Sequence, residues 1–352
     1  MCWCGEAVRS TFSTAAQAQE PARRRQRRAL RRRFAALLVT AACTSCGGPG
    51  EIARPGEEAP PLPDQLAEFR ESGHRKWRQD RLEALRGPEG WPSVVGLHWL
   101  SPGSHSIGAG PENRIVLPEV PSLAGQPPTF ATLVVEEGSP PARVWLEVQP
   151  EAEVLLNGRS IRRSELHSDA TPTPTIVSAG SLSLRLIDRG GELALRIRDL
   201  DSPRGEALEE IPSWEYRRDL VLVGRFEERT AGPGLMLENV VGQVYEHPSV
   251  GDVVVEIAGV GYRLGAVGAA RDEPLLLIIA DQTNGDETYS GGRYLSAEVR
   301  ADGSVVVDLN RLYNPPCVFT AYATCPLPPA GNRLPVRIEG GEKLPDRGVA
   351  SK

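Results

Sequence analysis

The runs SLSLRLID at residues 181–188 and ELALRIRD at residues 192–199 alternate apolar and polar side chains almost without interruption. Successive side chains of a strand point to opposite faces, so a period of two marks a strand with one buried face. The same signature, or a short apolar run bounded by Gly, Pro, Asn or Asp, recurs on both sides: PSVVGLHWL, RIVLP, TFATLVVEE, ARVWLEVQ and AEVLLNGRS before it, then DLVLVGRFE, VVGQVYE, GDVVVEIAG, VGYRLGAVG, PLLLIIAD, RYLSAEVR, SVVVDLN and LPVRIEG after it. Many short strands with frequent turn signals predict a mainly β fold, an antiparallel sandwich or barrel-like body. The 36 Gly and 31 Pro in 352 residues fit that class better than long helices. The polar segment DSPRGEALEEIPS at 201–213 divides the strands into an N-terminal β sandwich over 89–205 and a C-terminal β domain over 206–345.

Upstream of the strands the pattern changes. In DQLAEFRESGHRKWRQDRLEALRG, residues Leu66, Phe69, Trp77, Leu82 and Leu85 share a helical stripe, with Asp64 placed to cap the start and Gly87-Pro88 to stop it. One amphipathic helix is predicted over 64–88. Before it, residues 43–63 are mostly Gly, Pro and Glu with little to bury, which reads as a flexible tether.

Residues 1–42 read as a leader. PARRRQRRALRRR carries eight Arg in thirteen residues and is followed by the apolar stretch Phe34–Ala42, too short to span a bilayer and ending in small residues. That is the layout of a secretory signal, and VTAAC resembles the lipobox of bacterial lipoproteins, in which the cysteine takes the lipid. Cys43 is the predicted lipidation site, and the expected location is the bacterial cell envelope, with the membrane as a partner through the anchor. Removing nine Arg and two Glu with the leader leaves 31 basic against 44 acidic groups, a formal charge of −13. So acidic a chain repels phosphate backbones, and nucleic acid is not an expected partner.

The densest polar chemistry lies in DQTNGDETYSGGRYL at 281–295. Asp281 and Thr283, then Glu287 and Tyr289, fall at strand spacing; Asn284-Gly285 is a turn dipeptide; Gly291-Gly292 permits positive φ before Arg293. SVVVDLN brings Asp308 and Asn310, and Asn314 follows. The expectation is that these eight groups share one concave surface. Thr283, Arg293, Asp308, Asn310 and Asn314 would bind a small polar or anionic ligand. In the alternative, an envelope hydrolase, Glu287 or Asp281 would serve as general acid or base with Tyr289 beside it. A third reading makes the cluster purely structural. There is no Gly-x-Ser-x-Gly elbow, His-Glu-x-x-His motif, phosphate loop or dinucleotide fingerprint, and neither a metal nor a cofactor is predicted.

Of five histidines, His98 in GLHWL lies on an apolar strand and is the one expected to be buried. Cys317 and Cys325 flank VFTAYAT between prolines; in an exported protein the simplest expectation is a disulfide, with a metal or redox-active pair as the alternative.

Two resemblances complete the reading. HSIGAGPENRIVLPE followed by VLLNGRSI resembles the strand-loop-strand order of forkhead-associated sandwiches, but Ala109 follows Gly108 where that family has its phosphate-binding Arg, so the likeness implies a fold and no phosphopeptide site. GWPSVVGLHWLSPGSHSIG at 90–108, RIRDLDSP at 196–203, DQTNGDETYSGGRYL at 281–295 and VDLNRLYNPPCVFTAYATCPLPPAGNRLPVRIEGGEK at 307–343 together resemble the bacterial family numbered 1684 among the domains of unknown function, over roughly 65–345. That resemblance implies no reaction.

Overall fold

The computed structural model describes residues 64–345, apart from 137, 139–141 and 230–231. The leader 1–42, the tether 43–63 and Cys43 lie outside the described residues.

The predicted helix is split. A 3-10 segment, Asp64–Phe69, is followed by helix α1, Glu71–Arg86, with the extended residue Arg70 between them. Asp64 does not cap α1; its carboxylate accepts from Arg70 at 2.8 Å. Gly73 enforces the tight reversal, because a Cβ there would stand 2.0 Å from the Glu68 carbonyl oxygen. Gly87 ends α1 as expected, its N–H bonded to the Glu83 carbonyl.

Two sheets form the N-terminal β region. The first runs in the order β1 (Val94–Trp99), β11 (Glu192–Asp199), β10 (Leu182–Arg189), β9 (Ile176–Ala179), β6 (Leu155–Leu156) and β7 (Arg159–Ser160). The second is β3 (Ile115–Val116), β2 (Gly103–Gly108), β4 (Ala131–Val135), β5 (Val144–Val148) and β8 (Arg163–Leu166). Pairing is antiparallel except for the two-residue parallel contact of β2 with β3. Both sheets feed one core that includes Ile107, Leu133 and Leu146 from one and Val177, Leu184 and Leu195 from the other. The period of two decides what remains outside: with Leu182, Leu184 and Leu186 inward, Arg185 and Arg189 on β10 share the opposite face with Arg196 and Arg198 on β11.

The C-terminal sheet runs β18 (Arg293–Ala297), β17 (Leu275–Ile279), β16 (Val260–Val267), β15 (Gly251–Ile257), β12 (Val221–Glu228) and β19 (Ser304–Asp308). A bridge between Val299 and Val305 draws its two ends together, so the sheet nearly closes into a barrel around Val253, Leu264, Leu277, Leu295 and Val307. A separate ribbon pairs β13 (Leu235–Glu238) with β14 (Val244–His247). After β19 the chain is irregular to its described end, with 3-10 turns at Leu309–Arg311, Pro316–Val318 and Ala330–Asn332. LPVRIEG, expected as a strand, belongs to this irregular stretch. Prolines at 315, 316, 326, 328, 329 and 335 remove the N–H groups that a ladder requires. Side chains replace the ladder: the Asn332 amide bonds the Gly265 N–H and the Gly265 and Ile278 carbonyls, and the Thr320 hydroxyl donates to the Val94 carbonyl at 2.8 Å.

Candidate functional site

Asp281 and Arg293 meet at 2.7 Å with both side chains fully buried. Backbone groups supply most of its other hydrogen-bond partners. Asp281 Oδ1 accepts from the N–H groups of Thr283 at 2.9 Å and Ile338 at 3.2 Å. The Arg293 guanidinium donates to the Ile338 carbonyl at 3.0 Å and to the carbonyls of Gly340 and Glu342, and it lies 5.2 Å from the Trp214 ring centre. Burial lowers the Arg293 pKa below its ordinary value, and Asp281 opposes that shift. Gly292, at φ +86°, lets the chain pass under the Ile279 carbonyl, where a Cβ would stand at 2.7 Å.

The rest of the 281–289 loop is bonded internally. The Thr283 and Thr288 hydroxyls meet at 2.9 Å, and Asn284 donates to Thr288 Oγ1 at 2.8 Å and to the Tyr289 carbonyl at 3.0 Å. Glu287 is part-exposed, paired with Arg337, and its carbonyl receives the Leu344 N–H at 3.0 Å. Asn314 donates to the Lys343 carbonyl at 2.7 Å, while its own N–H is accepted by Glu342, which also holds Arg81 of α1. Asp281, Glu287, Arg293 and Asn314 thus converge on one object, the chain's own segment 336–344. They latch it.

Asp308 and Asn310 stand apart from that latch. Asp308 Oδ1 accepts from the Asn310 N–H and side-chain amide, and Asn310 in turn bonds both the N–H and the carbonyl of Arg217. Asp308 Oδ2 lies 3.3 Å from Arg311 Nε without hydrogen-bond geometry, and burial raises the Asp308 pKa. The eight groups expected on a single concave surface therefore fall into two sets, each held largely by protein partners, with Arg293 Nε, Asp308 Oδ2 and Asn314 Oδ1 the buried atoms left without a hydrogen bond. Each is held by segments remote in sequence, which no local spacing reveals.

One further expectation is corrected, and a second finds no support. His98 is only half-buried, on an edge strand, while His74 and His105 are the deeply buried histidines. Neither ring nitrogen of His74 has a partner; it packs on Trp77 and Tyr216, and burial first, then Arg78 and Arg311, lowers its pKa to about 4. Cys317 and Cys325, expected as a disulfide, are free thiols in contact with each other, and the Cys317 N–H donates to Cys325 Sγ at 3.2 Å.

A pocket of about 350 Å³ opens elsewhere, where β10, β11 and β14 face residues 316–326. Trp91, Tyr245, Tyr294 and three prolines form mostly apolar walls, and Arg189, Arg196 and Thr324 gather at one part of it. Arg189 is neutralised by Asp169 at 2.9 Å and donates to Thr324 Oγ1 at 2.9 Å. Arg196 is different: among the described residues no carboxylate lies within ion-pair distance, and its buried Nε has no hydrogen-bond partner. It holds only a long contact to Thr324 Oγ1 at 3.5 Å and the Trp91 ring at 5.4 Å, and burial first, then Arg189, lowers its pKa to about 10. His247 is stacked on Tyr245 at 4.5 Å, and burial keeps its pKa low, so that wall is neutral. The carboxylate of Glu246 is exposed and accepts from the Gly234 N–H at 2.6 Å. Of the predicted site residues, Cys325 lines this pocket, and Tyr289, whose pKa burial raises to about 12, touches its partner Cys317; the ligand-binding and catalytic candidates Asp281, Thr283, Glu287, Arg293, Asp308, Asn310 and Asn314 are not among the lining residues. Arg196 itself gave little sequence signal, because charged residues on the polar face of a strand ordinarily read as solvated.

Among the described residues, no helix is long and apolar enough to cross a membrane, and no three His, Cys, Asp or Glu side chains group as metal ligands. Residues 206–343 match the family described as "Protein of unknown function (DUF1684)". The matched span is the C-terminal region alone, narrower than the resemblance read across 65–345. No curated protein matches the chain. An uncharacterised protein of Haloarcula marismortui, solved by solution NMR, is 24% identical, covering 41% of this chain and 80% of that one with a TM-score of 0.34.

Proposed function

We propose that this protein is an exported, lipid-anchored binding protein that takes a small anionic ligand with a flat apolar body, such as an aromatic carboxylate or phosphate monoester, into the Arg196 pocket. The observation that carries the reading is Arg196. A guanidinium drawn into an apolar pocket with no carboxylate in contact is costly unless a ligand anion completes it. A guanidinium presents its donors in a fixed fork that fits a carboxylate or phosphate, and Thr324 and Arg189 stand beside it to extend the contact. The walls of Trp91, Tyr245 and Tyr294 suit an aromatic body. The class of ligand is the one expected from the sequence; the position has moved from the 281–314 cluster to the face of β10 and β11.

The test is calorimetric titration of the protein with phenyl phosphate and with benzoate. Saturable binding is expected, weakened about tenfold or more in Arg196→Gln, since a charge-assisted hydrogen bond contributes about 1.5–3 kcal/mol. Equal affinity in wild type and Arg196→Gln would overturn the reading. The anchor is tested separately: labelled fatty acid should enter the wild type and not Cys43→Ser.

The hydrolase alternative finds less support. Asp281 is held by Arg293 and two backbone N–H groups, and Glu287 by Arg337, so neither carboxylate faces an open cavity.

A further inference from the structure

Cys325 lines the same pocket as Arg196, and its sulfur accepts the N–H of Cys317 at 3.2 Å. The two thiols also touch each other, with the Tyr289 phenol on Cys317 and the Tyr294 phenol on Cys325. Cys317 is part-exposed and Cys325 buried. Thr324, the chain neighbour of Cys325, carries the hydroxyl that Arg189 and Arg196 approach. Cys325 and the hydroxyl that the two arginines approach are therefore on successive residues of one pocket wall.

We infer that Cys317 and Cys325 form a reversible thiol–disulfide couple, oxidised by a low-molecular-weight disulfide, that sets the anion affinity of the Arg196 pocket. This inference rests on the proposed binding reading and adds its regulation. In the oxidation, the Cys317 thiolate attacks one sulfur of the external disulfide RSSR, forms a mixed disulfide and expels RS⁻. The Cys325 thiolate then attacks the Cys317 sulfur, closes the Cys317–Cys325 bond and expels the second RS⁻. Two electrons and the two thiol protons end on two RSH molecules. Burial disfavours the charged form of Cys325, while the contact of Cys325 with the Cys317 sulfur, aided by the nearby Arg196 charge, favours the Cys317 thiolate, which fits Cys317 as the attacking group.

Oxidation should tighten binding. A cross-link across the loop 317–325 fixes the wall that carries Thr324, so less order remains to be imposed when the ligand enters.

The experiment exposes the full chain to oxidised glutathione or to dithiothreitol, counts free thiols by maleimide mass shift, and titrates each form with phenyl phosphate. The expected result is loss of the Cys317 and Cys325 thiols within one monomer, located by peptide mapping because the full chain also carries Cys2, Cys4, Cys43 and Cys46, and an affinity several-fold higher, on the order of three- to tenfold. Cys317→Ser/Cys325→Ser should bind with the reduced-form affinity whatever the treatment. If both thiols survive oxidised glutathione, the couple is overturned. Complete disulfide formation with identical affinity overturns the regulation but leaves the binding reading standing. Disulfide formation with no phenyl phosphate binding in either form, in protein whose circular dichroism and cooperative melting show it folded, overturns the binding reading and the regulation with it.

Discussion

The latch at Asp281–Arg293 and the pocket at Arg196 each bury an arginine, and they solve the charge in opposite ways. Arg293 has a carboxylate at 2.7 Å, three carbonyls and the Trp214 ring, and no solvent. Both guanidinium groups leave Nε without a hydrogen-bond partner, but Arg196 has only a distant threonine and a tryptophan face and lies beside a cavity. A polar cluster rich in mutually complementary groups tends to consume itself, because in a low-dielectric interior each donor that finds an acceptor stabilises the fold more than an unsatisfied one would. The vacancy for a ligand is found where the partner is missing. The richest polar stretch of the sequence is accordingly a fastening, and the plainer face of a strand pair holds the candidate site.

Removing the latch arginine should have the largest effect. Arg293→Ala leaves Asp281 buried without its counter-charge and frees the carbonyls of Ile338 and Gly340, so a loss of about 3–5 kcal/mol is expected in urea denaturation. Phenyl phosphate affinity of the remaining folded protein should stay near that of the wild type. A mutant as stable as wild type but unable to bind would reverse the roles assigned to the two arginines.

His74 offers a third buried polar group, lacking both a partner and a pocket. Its folded pKa of about 4 lies below the ordinary 6.5, so the unfolded chain binds the proton more tightly between those values. The stability tied to neutral His74 is therefore fully present above about pH 6.5 and is lost as pH falls through 4, by up to about 3 kcal/mol. Melting curves from pH 7 to pH 4 should show less of this acid-dependent loss in His74→Phe than in the wild type. Equal slopes would mean that the ring takes up its proton without cost.

Arg196→Gln should cost about 1.4 kcal/mol or more in ligand binding yet leave folding stability unchanged or slightly raised, since it deletes an uncompensated buried charge. A destabilisation comparable to that of Arg293→Ala would show that Arg196 has a structural partner after all. At the small end, Glu287→Gln breaks only a part-exposed pair with Arg337, and equilibrium unfolding should register a change of about 1 kcal/mol or less. A larger loss would show that Glu287 fastens segment 336–344 more strongly than a part-exposed pair ordinarily does.

The alternation in SLSLRLID and ELALRIRD was sufficient to predict a mainly β body and which side of β10 and β11 faces the core, because side-chain direction in a strand follows from position alone. Gly87 stopped the helix as expected, and Asn284-Gly285 did turn the chain. The helix start was misjudged because the Glu68 carbonyl reaches Gly73 only once the chain has folded back. Asp281, Arg293 and Asn314 were legible as special residues, but their partners, Ile338 to Lys343, lie up to 57 positions away, so spacing could not say whether they faced a ligand or the chain itself. The Arg196 pocket draws its walls from residues near 91, 189–196, 245–248, 294 and 316–326. Local sequence determined the strands, because backbone geometry is a nearest-neighbour property. Tertiary packing alone decided which arginine keeps a vacancy, because satisfaction of a buried charge depends on whatever the rest of the chain brings against it.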